Sequence, residues 1–268
     1  MLKQLAWPSE STYGTDSSSI ARGALTFARS LAVTVVLFAP GLIDADPAET
    51  SGAHLLAAAL EHHDPDGSWV AGRFTMTLES HRPDGSTREI VLDFDNRVGS
   101  FGATRESDAG LIEAEIGPGE RCELKLAGSA EIPPKTAEKH GVTCERWRRM
   151  RDYYHYMWGL PMKLADEGTL LGAGSEGEFN GVAARVLAVT YEPETGGDTW
   201  YFYFDPATAR AVGYRFYHDP ATNDGEYIVL EGEVEAGGVR FPRRQTWYMN
   251  DDDELLGSDE LIAAERLD

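Results

Sequence analysis

The residues that could perform metal chemistry are few, and none of them completes a binding motif. The densest histidine cluster is His62-His63-Asp64. Two adjacent histidines cannot both face one metal from a helix end without distortion, and no third ligand follows at a metal-site spacing. The acidic run 250–254 lacks the glycine and the distal glutamate of a calcium loop. We therefore expect no metal site and no cofactor.

Catalytic signatures are also missing from the chain. It contains no G-x-S-x-G, no H-E-x-x-H and no phosphate-cradling glycine loop. A pair of carboxylates for glycoside hydrolysis could still be present among the 45 acidic residues. A hydrolase that uses unidentified carboxylates therefore stays open as an alternative, although no residue can be assigned a catalytic role.

The two cysteines, Cys122 and Cys144, are the clearest covalent feature. An even number of cysteines is expected in a protein exported to an oxidising compartment, so a disulfide between them is the natural interpretation. It would close a loop of about 22 residues and add roughly 3 kcal/mol of stability. Two separate buried thiols are the alternative. Metal binding by the pair is disfavoured, because neither cysteine lies in a C-x-x-C motif.

The charge of the chain excludes several partners. There are 45 acidic residues against 24 Lys plus Arg, which gives a formal net charge of −21, and only five of the basic residues are Lys. A field this negative repels nucleic acid and anionic membrane surfaces. Abundant acid with little lysine is typical of proteins adapted to high salt, but ordinary solubility explains it equally well.

The N-terminal segment resembles an export signal. Arg22 and Arg29 precede an apolar run at 31–38, and Pro40 and Gly41 follow it. The run is too short for a membrane-spanning helix, which needs about 20 apolar residues. We expect residues 1–45 to be a polar leader with a signal peptide, and the protein to be periplasmic or extracellular rather than an integral membrane protein. A buried N-terminal helix of a cytosolic protein is the alternative.

The rest of the chain, 46–268, is predicted to be a single antiparallel β domain. A short helix at 55–60 is followed by period-two alternation at 74–79 and 90–95, with a Pro-Asp-Gly turn between them. Weaker strands are expected at 98–104, 111–116 and 121–126. After Gly168, turn sequences separate strands at 177–179, 184–191, 200–204, 212–217, 227–234 and 239–249. No helical pattern lies between these strands, which indicates a meander.

One clear internal helix is predicted at 143–158. Thr143 can cap its first turn, apolar residues recur at steps of three and four, and Gly159-Leu160-Pro161 ends it. The preceding segment 132–134 is expected to be an extended linker. Arginines at 146, 148, 149 and 151 are expected to pair with acidic neighbours or to meet an anionic head group.

The aromatic strand 200–204 indicates what this helix packs against. Trp200 and Phe202 point to one face of the strand, and Tyr201 points to the other. The simplest architecture is mainly β (α+β): a curved antiparallel sheet, or half-barrel, wrapped around the helix. Such a structure can hold an apolar ligand, although a plain filled core is the alternative. The residues predicted to bind the ligand are Tyr154, Met157, Trp158, Trp200, Phe202 and Tyr214.

Several segments of the chain resemble a known family. They are DYYHYMWGLPMKL at 152–164, EGT at 167–169, DTWYFYFDP at 198–206, GEY at 225–227, WYMN at 247–250, LGSD at 256–259 and HDPDGSW at 63–69. Together they resemble an uncharacterised exported bacterial family, the domain of unknown function 6503, over about residues 52–261. The resemblance implies no activity, but it suggests a lipoprotein-carrier type of fold that shields acyl chains. We expect a non-enzymatic binder or carrier of a lipid or other apolar ligand, rather than an enzyme.

Overall fold

The computed structural model describes residues 51–267, so the predicted leader at 1–45 lies outside the described residues. Four α-helices occur in this part of the chain: α1 (Gly52–His63), α2 (Ser68–Ala71), α3 (Pro134–Lys139) and α4 (Cys144–Gly159). Among residues 51–267, no helix is long and apolar enough to cross a membrane.

Twelve antiparallel strands make up most of the structure. The first five are β1 (Arg73–His81), β2 (Thr87–Asp95), β3 (Ser100–Arg105), β4 (Ile112–Ile116) and β5 (Cys122–Leu126). The other seven are β6 (Thr169–Phe179), β7 (Val182–Tyr191), β8 (Thr199–Phe204), β9 (Ala211–Tyr217), β10 (Glu226–Ala236), β11 (Val239–Met249) and β12 (Leu255–Leu267).

All twelve strands belong to one open sheet, in the order β5-β4-β3-β2-β1-β12-β11-β10-β9-β8-β7-β6. Each half is a meander in which neighbours in sequence are neighbours in space. The two meanders meet where β1 pairs with β12, so the first and last strands are neighbours near the middle of the sheet. β5 and β6 form the two edges. The predicted fold class, a curved antiparallel sheet around a helix, is confirmed.

The core lies on the inner, concave face of this sheet. In β1, Phe74, Met76 and Leu78 are fully buried while the residues between them are partly exposed, which is the alternation predicted from the sequence. Trp200 and Phe202 follow the same alternation in β8. A smaller cluster of Phe179, Ala184 and Tyr227 packs on the outer face, so part of the second half of the sheet is covered on both sides.

The two longer helices cover different parts of the inner face. α1 packs on β6, β7 and β11, and α4 packs on β4 and β5. Gly52 lets α1 approach the sheet closely, because a Cβ at this position would lie 2.0 Å from the carbonyl oxygen of Gly172 in β6. The inner face is therefore covered by helices rather than by a second sheet.

The structure corrects the sequence prediction in three segments. The stretch 132–134 is not wholly an extended linker, because α3 begins at Pro134; proline suits a first helical turn, where its missing N–H would have no partner in any case. β6 extends back to Thr169, well before the predicted start at 177. β12 was not predicted, because its alternation is interrupted by a bulge opposite Thr77 and Leu78.

Candidate functional site

α4 begins as predicted and is tied to the sheet at its first residue. The Thr143 hydroxyl accepts a hydrogen bond from the Arg146 N–H at 3.4 Å, which caps the first turn. The predicted disulfide is present: it joins Cys144 to Cys122 in the edge strand β5, and their Cα atoms are 5.9 Å apart. The N-terminal end of α4 is thus covalently fixed, whereas its C-terminal half is held by noncovalent contacts.

Three of the four arginines of α4, Arg148, Arg149 and Arg151, pair with acidic neighbours, as the sequence predicted. Arg148 and Arg151 both contact Glu120, at 3.2 and 2.8 Å. Arg149 pairs with Glu145 one turn earlier, at 2.6 Å. These pairs lie at the solvent side of the helix, so they contribute little to stability.

The six residues predicted to bind a ligand all lie in the main core cluster between α4 and the sheet. Trp200 and Phe202 stack with ring centroids 5.8 Å apart, and both rings contact Tyr214, at 6.1 and 5.7 Å. The same cluster contains three side chains of α4, those of Tyr154, Met157 and Trp158, and each of them is at most 5% exposed. In this structure their side chains are packed together within one continuous core.

Three buried polar atoms at this interface have no hydrogen-bond partner among the described residues. They are Nε1 of Trp147 and the hydroxyl of Tyr153, both on α4, and Nε1 of Trp200 on β8. Most buried polar groups in folded proteins are paired, and leaving one unpaired costs about 1–3 kcal/mol. All three groups can donate a hydrogen bond. The interface therefore offers donors to an acceptor that the described protein does not provide.

A row of polar residues also crosses the inner face of the sheet. Ser80 in β1 stands opposite Arg88 in β2 on one side and opposite Asp259 in β12 on the other, and Asp259 stands opposite Gln245 in β11. We call Arg88, Ser80, Asp259 and Gln245 the polar row. Its last three members are buried, and Arg88 is half-buried.

Hydrogen bonds connect the polar row to the aromatic cluster. The Ser80 hydroxyl donates to Asp259 Oδ1 at 2.5 Å, and the Tyr214 hydroxyl donates to Gln245 Oε1 at 2.5 Å. Gln245 Nε2 donates in turn to the Met157 carbonyl oxygen at 3.4 Å. Gln245 thus joins the polar row to the C-terminal half of α4.

The electrostatics of this interior are dominated by burial. Burial raises the pKa of the Asp259 carboxyl to about 6, although its hydrogen bond with Ser80 and the charge of Arg82 oppose the rise. Burial also raises the pKa of Tyr153 and Tyr154, and the negative charge of Asp259 adds to the rise. These tyrosines keep their protons at neutral pH and act as neutral hydrogen-bonding groups.

A cleft of about 290 Å³ opens at the C-terminal end of α4. Its lining includes His155, Tyr156, Lys163, Asp166, Thr169 and Tyr191. The hydroxyls of Tyr156 and Tyr191 are hydrogen-bonded, and the Tyr156 ring packs edge-on against Trp200 with centroids 5.5 Å apart. Tyr156 therefore separates the cleft from the predicted ligand-binding residues.

His155 is a structural group at the wall of this cleft. Its ring stacks on Trp69 with centroids 5.6 Å apart, and Nε2 lies 2.9 Å from Oδ1 of Asn96, an acceptor to which it donates. Burial lowers the pKa of His155 to about 3, and the charges of Lys163 and Arg151 contribute. The imidazole is therefore neutral over the physiological range.

The folded structure adds a third possible metal ligand to the histidine pair of α1, one that sequence spacing could not reveal. Glu233 from β10 lies 2.8 Å from His62 Nε2, so His62, His63 and Glu233 are close enough to consider a metal. However, both ring nitrogens of His63 are already used: Nδ1 donates to the Arg240 carbonyl and Nε2 accepts from the Ala211 N–H. These bonds dock α1 onto the sheet, and the arrangement fits a structural role better than a metal centre.

The residues of the polar row were missed in the sequence analysis. The signal was available, because Ser80 continues the inward series Phe74, Met76 and Leu78 with a polar side chain. A polar residue at an inward position of a strand indicates either a buried network or a site. Asp259 could not be found in this way, because β12 itself was not predicted.

Comparison with known sequences identifies one family. The sequence profile of a family described as "Family of unknown function (DUF6503)" matches residues 34–264. No curated protein matches the chain.

Several solved structures match the chain at low sequence identity, among them the following three. A LolA superfamily protein from Nitrosomonas europaea is 10% identical, with a TM-score of 0.49, and the match covers 82% of this chain and 94% of that one. A domain described as an outer membrane lipoprotein-sorting protein, from Vibrio parahaemolyticus, is 12% identical, with a TM-score of 0.44 and coverage of 81% and 93%. A DUF1329 family protein from Desulfovibrio piger is 12% identical, with a TM-score of 0.41 and the same coverage.

Proposed function

The chain belongs to the DUF6503 family of unknown function, and we propose from its own geometry that it is a non-enzymatic binder of an acyl chain or similar apolar ligand. The ligand would be taken up between α4 and the inner face of the sheet. The binding residues would be Tyr154, Met157, Trp158, Trp200, Phe202 and Tyr214.

The unpaired donors beneath α4 are the observation that carries this proposal. If this interface never opened, we would expect the core to provide hydrogen-bond acceptors for the Tyr153 hydroxyl and for the indole N–H groups of Trp147 and Trp200. An acyl lipid would bring an alkyl chain for the aromatic cluster and carboxyl or ester oxygens that accept from these donors. Both needs of the interface are met by one class of molecule.

The way α4 is attached supports an interface that can open. The disulfide to Cys122 holds only the N-terminal end of the helix, and the bond from Gln245 to the Met157 carbonyl is long, at 3.4 Å. The Tyr156 ring lies between the cleft and Trp200, so displacement of this ring would give a ligand a way in from the cleft. In the closed state the aromatic side chains would occupy the space that the ligand takes.

The disulfide also supports export. Disulfides persist in oxidising compartments and are rare in the cytosol, so the bond between Cys122 and Cys144 supports a periplasmic or extracellular location. The predicted signal peptide in residues 1–45 remains a prediction on the sequence.

Photo-crosslinking can test both binding and its location. The full chain would be incubated with a palmitate analogue that carries a diazirine on its alkyl chain, irradiated, digested and analysed by mass spectrometry. We expect label on the inward residues of α4 and β8, such as Met157 and Phe202, and competition by unlabelled palmitate. Tyr201 on the outer face of β8 is the internal control and should stay unlabelled.

Two results would contradict the proposal. Absence of competable labelling would remove apolar ligand binding. Labelling confined to the outer face, at Tyr201 and its neighbour Tyr217, would indicate nonspecific adsorption to exposed aromatic rings. If inward residues are labelled and unlabelled palmitate competes, native mass spectrometry of protein isolated from its source would identify the natural ligand. Any released material would be analysed for lipids.

A further inference from the structure

We propose that the outer face of the second half of the sheet is the docking surface for a cationic protein segment that carries arginine side chains. The surface is centred on three tyrosines and one arginine, Tyr201, Arg215, Tyr227 and Tyr248, which we call the outer row. The outer row lies on the opposite side of the sheet from the predicted ligand-binding residues. The inference therefore goes beyond the proposed function and does not rest on it.

The strand register places the outer row on one face. Tyr201 in β8 stands opposite Arg215 in β9. Arg215 stands opposite Tyr227 in β10, which in turn stands opposite Tyr248 in β11. Their neighbours along the strands are buried in the main core and include Trp200, Phe202, Tyr214, Phe216, Ile228 and Trp247. Since successive side chains of a strand point to opposite faces, the outer row projects from the outer face.

The rings of the outer row are stacked and partly open to solvent. Tyr227 and Tyr248 stack with centroids 5.0 Å apart, and the guanidinium carbon of Arg215 lies 4.8 Å from the Tyr227 ring centroid. Tyr201, Arg215 and Tyr248 are partly exposed. An aromatic ring attracts a guanidinium over its face, and tyrosine and arginine are enriched at protein–protein interfaces. The row thus already holds one guanidinium and offers the rings of Tyr201 and Tyr248 to others.

Further apolar side chains extend this surface at both ends of the outer row. Tyr217 packs edge-on against Tyr201, with ring centroids 6.0 Å apart. Leu255 in β12 stands opposite Tyr248 and is 43% exposed. Exposed apolar surface with a polar rim marks interaction sites. The longer helices α1 and α4 cover the inner face, so this surface is accessible to a partner.

The turns beside the outer row are acidic. They join β7 to β8, β9 to β10 and β11 to β12 at the same end of the sheet, and they comprise 192–198, 218–225 and 250–254. These turns contain nine Asp and Glu and neither Lys nor Arg. Each member of the outer row lies within two positions of a strand end that leads into one of them, and the Tyr227 hydroxyl donates to Asp253 at 3.0 Å. Their charge attracts and complements a cationic segment.

The spacing of the outer row defines the arginine spacing of the partner. Tyr201 and Tyr248 lie three strands apart, which corresponds to roughly 14 Å at about 4.8 Å per strand. An extended segment rises about 3.3 Å per residue, so arginines four positions apart span about 13 Å. The positive charge of Arg215 in the middle of the row favours partner cations at its two ends. An extended segment with arginines at positions i and i+4 therefore fits the surface.

Matched peptides can test this surface on the full chain. The probes have the pattern X-G-S-G-X-G-S-G-X, in which X is arginine, lysine or glutamine. NMR titration at about 0.1 M sodium chloride, where distant charges are screened, would measure affinity and location. We expect the arginine peptide to bind roughly threefold or more tightly than the equally charged lysine peptide, because a guanidinium stacks better on aromatic rings. The glutamine peptide should not bind. Backbone amides of the outer row and of 250–254 should shift.

Variants of the two end tyrosines separate ring contacts from general attraction. Tyr201→Leu with Tyr248→Leu should weaken binding of the arginine peptide roughly fivefold or more and abolish its advantage over the lysine peptide. Tyr201→Phe with Tyr248→Phe keeps both rings and should bind within about twofold of the wild type. Circular dichroism checks folding. If the leucine pair is unfolded, Tyr201→Leu alone replaces it and should weaken binding by roughly twofold or more.

A second pair of variants tests the acidic turns. Asp251→Asn with Glu194→Gln removes two exposed charges from these turns. Glu106→Gln with Glu131→Gln removes two exposed charges from the first half of the chain and is the matched control. The turn pair should weaken binding of the arginine peptide by roughly threefold, and the control pair by less, because electrostatic attraction falls with distance.

Several results would overturn the proposal. Equal affinity of the wild type for the arginine and lysine peptides, or unchanged binding by the leucine variant, would show attraction to net charge alone. Amide shifts away from the outer row would place the contact elsewhere. If chitohexaose shifts the outer-row amides and none of the peptides does, the surface binds a glycan instead of a cationic segment. Each of these results leaves ligand binding on the inner face unaffected.

Discussion

At the scale of single residues, the unusual feature of this protein is a buried carboxyl in an aromatic interior. Asp259 is 1% exposed and accepts a hydrogen bond from the Ser80 hydroxyl. Its raised pKa makes the folded protein bind a proton more tightly than the unfolded chain does. The stabilising contribution is therefore present at low pH and is lost as the pH rises through about 6.

The Asp259→Asn variant should remove this pH dependence. Asparagine can still accept the Ser80 hydrogen bond but cannot become charged. Relative to the wild type, the variant should gain up to about 3 kcal/mol of unfolding free energy between about pH 4 and pH 8, as expected for a shift of about two pKa units. Urea denaturation across this range measures the difference. Asp251→Asn, an exposed substitution in the turn before β12, is the control. Parallel pH profiles of wild type and Asp259→Asn would contradict the prediction.

At the scale of elements, the segments that resemble the family serve largely to join helices and turns to the sheet. In HDPDGSW, His63 bonds α1 to the backbone of β9 and β11, and the Asp64 carboxylate accepts from the N–H groups of Ser68 and Trp69 at the start of α2. In WYMN, Asn250 Nδ2 donates to the carbonyls of Phe216 and Asp224. These polar residues satisfy backbone groups that the turns would otherwise leave unpaired.

The disulfide should be the main constraint on the start of α4. Replacing both partners, Cys122→Ala with Cys144→Ala, should lower the unfolding free energy by about 3 kcal/mol, because a loop of 22 residues is no longer closed in the unfolded chain. Urea denaturation gives the value. Reductant should destabilise the wild type and leave the double variant unchanged. A loss below about 1 kcal/mol would show that packing of Trp147 and its neighbours holds the helix without the bond.

At the scale of the whole molecule, the excess of acid acts against folding. Glu115 and Glu123 face each other directly across β4 and β5, where like charges destabilise a sheet, and Arg121 lies 3.6 and 3.5 Å from them. In the second half of the sheet the arrangement differs, because Glu231 and Glu235 of β10 stand opposite Arg244 and Arg240 of β11. Acidic side chains of both halves of the sheet thus lie at exposed or partly exposed positions.

Salt should therefore stabilise the folded protein. The melting temperature should rise by several degrees between low and molar sodium chloride, because screening reduces repulsion between exposed carboxylates. Calorimetry or thermal circular dichroism would measure it, and an uncharged osmolyte at equal osmolality is the control for general solvent effects. A flat response to salt would show that the charge opposes folding too weakly to matter, and would favour solubility as its explanation.

The sequence by itself determined the features that depend on neighbouring residues. Alternation in β1, β2 and β8, the cap at Thr143, the turn residues and the pairing of two cysteines all follow from local chemistry, and the structure has each of them. The aromatic face of β8 and the apolar face of α4 were predicted to meet, and they do, because each must bury its apolar side chains.

Only the tertiary structure decided the features that depend on residues far apart in the chain. β12 pairs with β1, and this pairing places Ser80 beside Asp259, which lies 179 residues later in the chain. The neighbouring strands add Arg88, Gln245 and Tyr214 to the same face of the sheet. The same kind of closure sets Glu233 beside His62. Within its own segment, each of these residues is an ordinary polar side chain. It becomes unusual only in the folded sheet, because strands distant in sequence bury it and bring charged groups close to it.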